Sequence, residues 1–479
     1  MSGASEGDTN GATSTVQVKP GRHREATLYQ ALHGAGAQGK SPEEIREAAR
    51  RFYEAAELPT WRRSGFWTTS FAGLDIDALE IRIHEPVPGD SGPAALPEVV
   101  TRTLPERKRA GRIVQLDGSV VHVELNSELA ERGVVLCPLE QALREDLPHV
   151  PHAHAHARAH FSKRLTYDRH KLEAANAAFW GGGAFLYVPP NLVVENPFEI
   201  VYAIGSAGVA QYGRTLIVAD EGSDIKVHEY DLAEDFSGQA LHAGALELYL
   251  KDGARCRMAQ VQDWGSTPDS EVHDASTRFV QVGRDAYCHW LPALLGGRLV
   301  RQHLELAVSE PGGDMAFRGL FFTEGREQLD AFAVDLHETG PSGGDVHWRG
   351  AATGESRASF EGLIQIDPGA QQTHTYLQIH TMMLSPKARL DAIPSVLVSA
   401  DDVSASHGGT VGELDEAAIF YMQSRGLDRP AAVRVLIEGF FEPVLGQLQD
   451  EPLEELIRAK LTAKLGRARE DIETYAVSR

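Results

Sequence analysis

A chain of 479 residues has room for two or three domains, and its 42% hydrophobic content is that of a water-soluble globular protein. A formal net charge of −22 argues against nonspecific nucleic-acid binding, which needs Lys and Arg to neutralise phosphates. No apolar run approaches the roughly 18 residues of a membrane span.

The opening MSGASEGDTNGATSTVQVKPGRHRE has no apolar stretch that could serve as a signal peptide. Residues 1–25 are therefore expected to be a disordered tail, and the protein is expected in the cytoplasm, away from membranes. Residues 26–175 read as an N-terminal helical region with a small hairpin. Within it, Gly34–Ser41 (GAGAQGKS) matches the phosphate-cradling pattern GxxxxGK[ST]. The context argues against that role. ATLYQALH before it is helix-like, where a buried strand is required, and no βαβ framework follows. The segment reads as a small-residue link, so no ATP is expected on this chain.

Ser41-Pro42-Glu43-Glu44 is a helix start: Ser41 caps, Pro42 suits the first position and Glu44 completes a capping box. Residues 86–97 look like a linker or long loop. Ile113 to Val123 alternates around Asp117-Gly118 and predicts a hairpin. His149, His152, His154, His156 and His160 crowd HVPHAHAHARAH. Alternating imidazoles can bind transition metals, but no acidic or cysteine residue in the run completes a site. It reads as a polar surface segment leading into a helix.

Residues 176–410 change pattern. Short alternating stretches such as KDGARCRMAQV, PGGDMAFRGLFF, GGDVHWRGA and GAQQTHTYLQI follow one another, each opened by Gly or polar turns. No helical period separates them. The even spacing and scarcity of hairpin turns favour a parallel β-helix, with a β-sandwich left open by pattern alone. Cys137, Cys256 and Cys288 are far apart with no CxxC pair, so neither a disulfide framework nor a self-contained thiolate site is expected. Cys256 and Cys288 read as core, and Cys288 and His289 should point to opposite faces of a strand.

Near the end of this region, SVLVSADDVSASHGGTVGELDEAAIFYMQSRG (395–426) joins an alternating strand, a polar Asp401-Asp402 turn, the lone His407 and two glycines. An apolar core role for His407 is weak there. Its imidazole could be an iron ligand or a proton carrier. Residues 411–479 read as a C-terminal helical domain, with Asp428 as a cap, Pro430 in a first turn, and Val433, Leu436, Phe440, Val444 and Leu448 as an apolar stripe.

Four segments now point one way. GRIVQLDGSVVHVEL (111–125), KLEAANAAFWGGGAFLYVPPNLVVENP (171–197), residues 355–396 and ADDVSASHGGTVGELDEAAIFYMQSRGL (400–427) together resemble the SufB/SufD family of iron–sulfur cluster assembly scaffolds. The resemblance spans roughly residues 100–450. It implies a mainly β fold with flanking α: a right-handed parallel β-helix core between N- and C-terminal helical regions. It implies a non-enzymatic scaffold that meets a SufB-type paralogue through the β-helix and a SufC-type ATPase through the C-terminal helices. That makes Leu436, Phe440 and Phe441 candidate docking residues. SufB-type chains carry a cysteine where Ile379 stands here and a glutamate where Gly408 stands; SufD-type chains often carry a cysteine at the position of Ala405. The ADDV…SHGGTVG form is that of SufD. His407 is the candidate ligand for iron or a transient iron–sulfur cluster shared with the partner, and a reduced flavin is possible. The alternatives are a self-sufficient homodimeric scaffold and a β-helix carbohydrate enzyme.

Overall fold

The computed structural model describes residues 37, 39–60, 69–82, 96–144, 151–265 and 269–472. The tail, most of the 86–97 linker, much of Gly34–Ser41 and His149 therefore lie outside the described residues.

Helix α1 (Pro42–Ala55) begins as its sequence dictates. Ser41 Oγ accepts the Glu44 amide at 3.2 Å, and Glu44 Oε2 accepts the Ser41 amide at 2.7 Å, a reciprocal capping box. After α2 (Glu98–Thr103), strands β1 (Gly111–Leu116) and β2 (Ser119–Leu125) form the expected hairpin. Asp117 and Gly118 both have positive φ, 52° and 101°, as the tight turn requires. This hairpin is not a satellite. β1 pairs in parallel with a later strand and so opens the first sheet. Then come α3 (Ser127–Glu131), β3 (Val135–Cys137), α4 (Leu139–Arg144), α5 (Pro151–His160) and α6 (Lys171–Phe179).

The chain then becomes strand after strand: β4 (Ala184–Val188), β5 (Phe198–Ile204), β6 (Ala210–Gln211), β7 (Arg214–Ala219), β8 (Asp224–Ala233), β9 (Gly238–His242) and β10 (Ala245–Leu250). Next are β11 (Arg255–Asp263), β12 (Ser270–Val282), β13 (Tyr287–Leu294), β14 (Leu299–Val308), β15 (Asp314–Thr323) and β16 (Gln328–His337). The series closes with β17 (Ser342–Ala352), β18 (Arg357–Ile366), β19 (Thr373–Met383), β20 (Arg389–Val398) and β21 (Val403–Glu413).

From β11 onward the strands go alternately to two sheets. One runs β2-β1-β5-β8-β11-β13-β15-β17-β19-β21 and the other β20-β18-β16-β14-β12-β10-β7-β4-β3. All pairings are parallel except β1–β2 and β3–β4. This is a parallel β-solenoid of about seven turns, and the parallel register rules out the sandwich.

Strands of one sheet stack residue on residue. Met258, Trp290, Phe317, Val346 and Leu377 form one inward column, each fully or almost fully buried. Parallel sheets need cover on both faces, and the helices supply it. Residues of α4, α5 and α6 pack with Val334, Leu336 and Leu363 on the outside of the second sheet. Helices α7 (Glu416–Ser424), α8 (Arg429–Leu445) and α9 (Glu451–Arg467) pack with Tyr230, Val261, Leu320 and Phe322 on the outside of the first. Asp415, Asp428 and Asp450 cap these three helices. Among the described residues, no helix is long and apolar enough to cross a membrane.

Candidate functional site at the open end of the solenoid

The two ends of the solenoid differ. At its start, the edge strands β2 and β3 run antiparallel to their neighbours. At its finish, β20 and β21 are both edge strands, and nothing among the described residues pairs with their outer edges. Val398 and Val411 are 41% and 46% exposed there.

His407 lies at the centre of β21, not in a turn or at a strand end. Its register partner is Leu377. It therefore continues the inward column of Met258, Trp290, Phe317, Val346 and Leu377, but with no further rung above it. Alternation along the strand puts Ala405 on the same face, in register with Thr375, and Gly409 in register with Ile379. Ile379 is fully buried. Gly409 packs on Pro394 of β20: a Cβ there would sit 3.3 Å from the proline ring. Gly408 points the other way, where a Cβ would meet only the Tyr376 hydroxyl at 3.9 Å. Three of the four positions singled out by the resemblance thus share the inward face of the open end.

The outward side is polar. His380 Nδ1 lies 2.6 Å from Thr410 Oγ1, and burial, then Arg349 and His347, hold its imidazole below the usual range. His347 Nε2 lies 2.7 Å from Asp345 Oδ1. Among the described residues, no group of three His, Cys, Asp or Glu side chains is arranged to hold a metal. His407 is a single donor, so an iron or cluster held there needs further ligands from another molecule.

The cysteines do not supply them. Cys137, Cys256 and Cys288 are buried free thiols. Burial pushes Cys137 and Cys288 up to about 12 and Cys256 well above its usual range, which leaves them unreactive. His289 faces opposite to Cys288, as expected, and burial lowers its imidazole to about 4.

The histidine run forms helix α5 itself, packed on the second sheet, rather than a surface segment leading into a helix. His154 Nδ1 contacts the Ala142 carbonyl at 2.8 Å, His156 stacks on Tyr187, and His160 Nε2 accepts from Lys251 at 2.8 Å. Lys40 and Ser41 are likewise structural: Lys40 donates to the Tyr167 hydroxyl at 2.7 Å and Ser41 caps α1.

Of the docking candidates, Phe441 is 1% exposed and packs near Phe322. Phe440 lies under the Arg349 guanidinium, and Leu436 is half-buried against the same core. As the helices stand, the accessible apolar groups are Phe420, Tyr421, Leu427 and Val435.

The fold is a β-solenoid whose finishing end carries His407 on an edge strand. Comparison with known families gives a match over residues 202–440 to the model described as "SUF system FeS cluster assembly, SufBD core domain". The chain belongs to the SufBD family of iron–sulfur cluster assembly proteins. It is similar to an "Iron-sulfur cluster assembly SufBD family protein" of Staphylococcus epidermidis, 24% identical over 411 residues, covering 84% of this chain and 86% of the relative. A Staphylococcus haemolyticus relative is 25% identical over 382 residues, with 78% and 80% covered. A Staphylococcus aureus relative is 23% identical over 411 residues, with 84% and 86% covered.

Proposed function

We propose that this chain is the SufD-like, non-enzymatic scaffold subunit of an iron–sulfur cluster assembly complex. Its open end meets a SufB-type paralogue, and its C-terminal helices receive a SufC-type ATPase. His407 contributes one imidazole to iron or a nascent cluster, which are cargo here. The partner contributes the thiolate and carboxylate that this chain lacks at Ile379, Ala405 and Gly408. One observation carries the reading: His407 ends an inward column of core residues on an edge strand that no further rung covers.

Imidazole is a suitable borderline ligand for iron. Edge strands with free backbone groups and exposed valines favour pairing with another sheet end. Phe420 and Tyr421, 73% and 59% exposed, are better placed than Phe441 to meet the ATPase.

Anaerobic isolation from native cells tests the assembly: an ATPase and a cysteine-bearing paralogue should co-purify. In that complex, His407→Ala should leave the subunits together while lowering cluster maturation severalfold. Unchanged maturation would remove His407 from the chemistry.

A further inference from the structure

The solenoid interior is not apolar throughout. Between β8 and β12 it encloses Glu229, Asp231, Asp274 and Arg278, each no more than 2% exposed. Three carboxylates thus face one guanidinium. Arg278 donates through Nε and Nη2 to Glu229 Oε1 at 3.0 and 2.6 Å, through Nη2 to Asp231 Oδ2 at 3.1 Å, and through Nη1 to Gln302 Oε1 at 2.5 Å. Asp274 Oδ2 accepts from Trp264 Nε1 at 2.9 Å and Gln302 Nε2 at 2.8 Å, and its other oxygen accepts from Ser276.

Asp231 is the member left wanting. Its Oδ2 also accepts from Gln260 Nε2 at 2.7 Å, but its Oδ1 has no donor, and neither do the carboxamide oxygens of Gln260 and Gln262. Gln262 is the register neighbour of Asp231 on the adjacent strand, so the two side chains stand side by side. Acceptor oxygens crowd together in an interior that already holds excess negative charge. A buried acceptor without a donor is destabilising, and an uncompensated buried carboxylate is more so. The surrounding groups offer no remedy. Tyr202 on β5 is committed to Thr215, and His242 on β9 turns Nδ1 to Gln211.

We propose that Asp231 binds a proton in the native protein at neutral pH and donates it from Oδ1 to the Gln262 carboxamide oxygen. One proton removes a negative charge and satisfies two orphaned oxygens together. The electrostatics agree in direction: burial, then repulsion from Glu229, push Asp231 well above the usual carboxylate range. Asp274, with both oxygens supplied, is raised only to about 6. The folded state holds this proton after the unfolded chain has released it, so the stabilisation is lost as pH rises through the folded-state titration.

Infrared spectroscopy of the full chain tests this directly. At about pH 8, above the ranges of Asp274 and Glu327, the wild-type protein should show the carbonyl band of a buried protonated carboxylic acid, and Asp231→Asn should lack it. Because a carboxamide copies the shape and donor of the protonated acid, Asp231→Asn should fold and should lose less stability than wild type between about pH 6 and pH 9. Glu229→Gln, which weakens the charge paired with Arg278, should destabilise at every pH. Absence of the band in the wild type, its survival in Asp231→Asn, or an unchanged pH slope would overturn the proposal. Should Asp231→Asn fail to fold, the wild-type spectrum alone decides.

Discussion

Gly350 shows how tightly single residues are fixed. It lies in register with Phe321 one turn earlier, and a Cβ added to it would come within 1.9 Å of the ring. Gly319 makes the same room for Trp348, at 2.4 Å. Neither glycine has the positive φ that would explain it locally; each is small because a neighbouring rung is large. Gly350→Ala should therefore lower stability by roughly 1–3 kcal/mol or more, as overpacking does, read from the midpoint of urea unfolding. An unchanged midpoint would refute the argument. Such complementarity was not legible in the sequence, because the residues that collide belong to different turns of the chain. His407 was legible as a ligand-capable imidazole in a polar setting. Its position was not: Ser406-His407-Gly408-Gly409 has turn-like composition, yet it runs through mid-strand, and only the register reveals which side it faces.

At the scale of elements, the caps were the most readable feature. Ser41 and Asp428 were identified in advance, and both side chains accept the expected amides. Helix α5 was misread because its alternation of Ala and His obscures the helical period. Among the described side chains it buries Ala153 and Ala157, four apart, and His160, and alanine is the strongest helix former. Helix α9 carries a device with no sequence signature. Its Lys460 reaches Asp263 Oδ2 at 2.5 Å, Lys464 reaches Glu327 at 3.0 Å and Glu324 at 3.1 Å, and Arg467 reaches Glu324 at 2.7 Å. At its other end, Asp450 pairs with Arg107 at 2.5 and 2.7 Å. The helix is thus fastened to the solenoid at both ends. Burial raises Glu327 from 4.5 to about 7, against the pull of Lys464. The folded state therefore binds a proton there that the unfolded chain has lost, and stability declines as pH climbs from about 4.5 to about 7. Glu327→Gln should flatten that decline, measured by thermal unfolding across the range. An identical slope in both proteins would show that Glu327 does not titrate there.

For the molecule as a whole, the alternating stretches in residues 176–410 and the helical periods flanking them made a solenoid with helices readable. The choice between solenoid and sandwich was beyond pattern, since both bury every second side chain; strand direction decides it, and direction is a matter of pairing. Nor could the sequence place the helical layers over the outer faces of the sheets, where they leave the last rung bare. If that rung is the contact surface, a charge on it should tell. Val411→Lys places a cation on the exposed inward face of β21 and should abolish end-to-end association in sedimentation velocity while leaving the unfolding free energy within about 0.5 kcal/mol of wild type, as for surface changes generally. Association that survives the lysine would place the contact elsewhere.

The inequality of the two ends bears on how copies could meet. A solenoid with equivalent ends could add copies without stop and grow into a fibre. Here β2 and β3 run against their neighbours, so the starting end presents antiparallel edge strands and the finishing end parallel ones. A pair that met through its finishing ends would bring the inward faces bearing His407 and its counterpart together at a single seam.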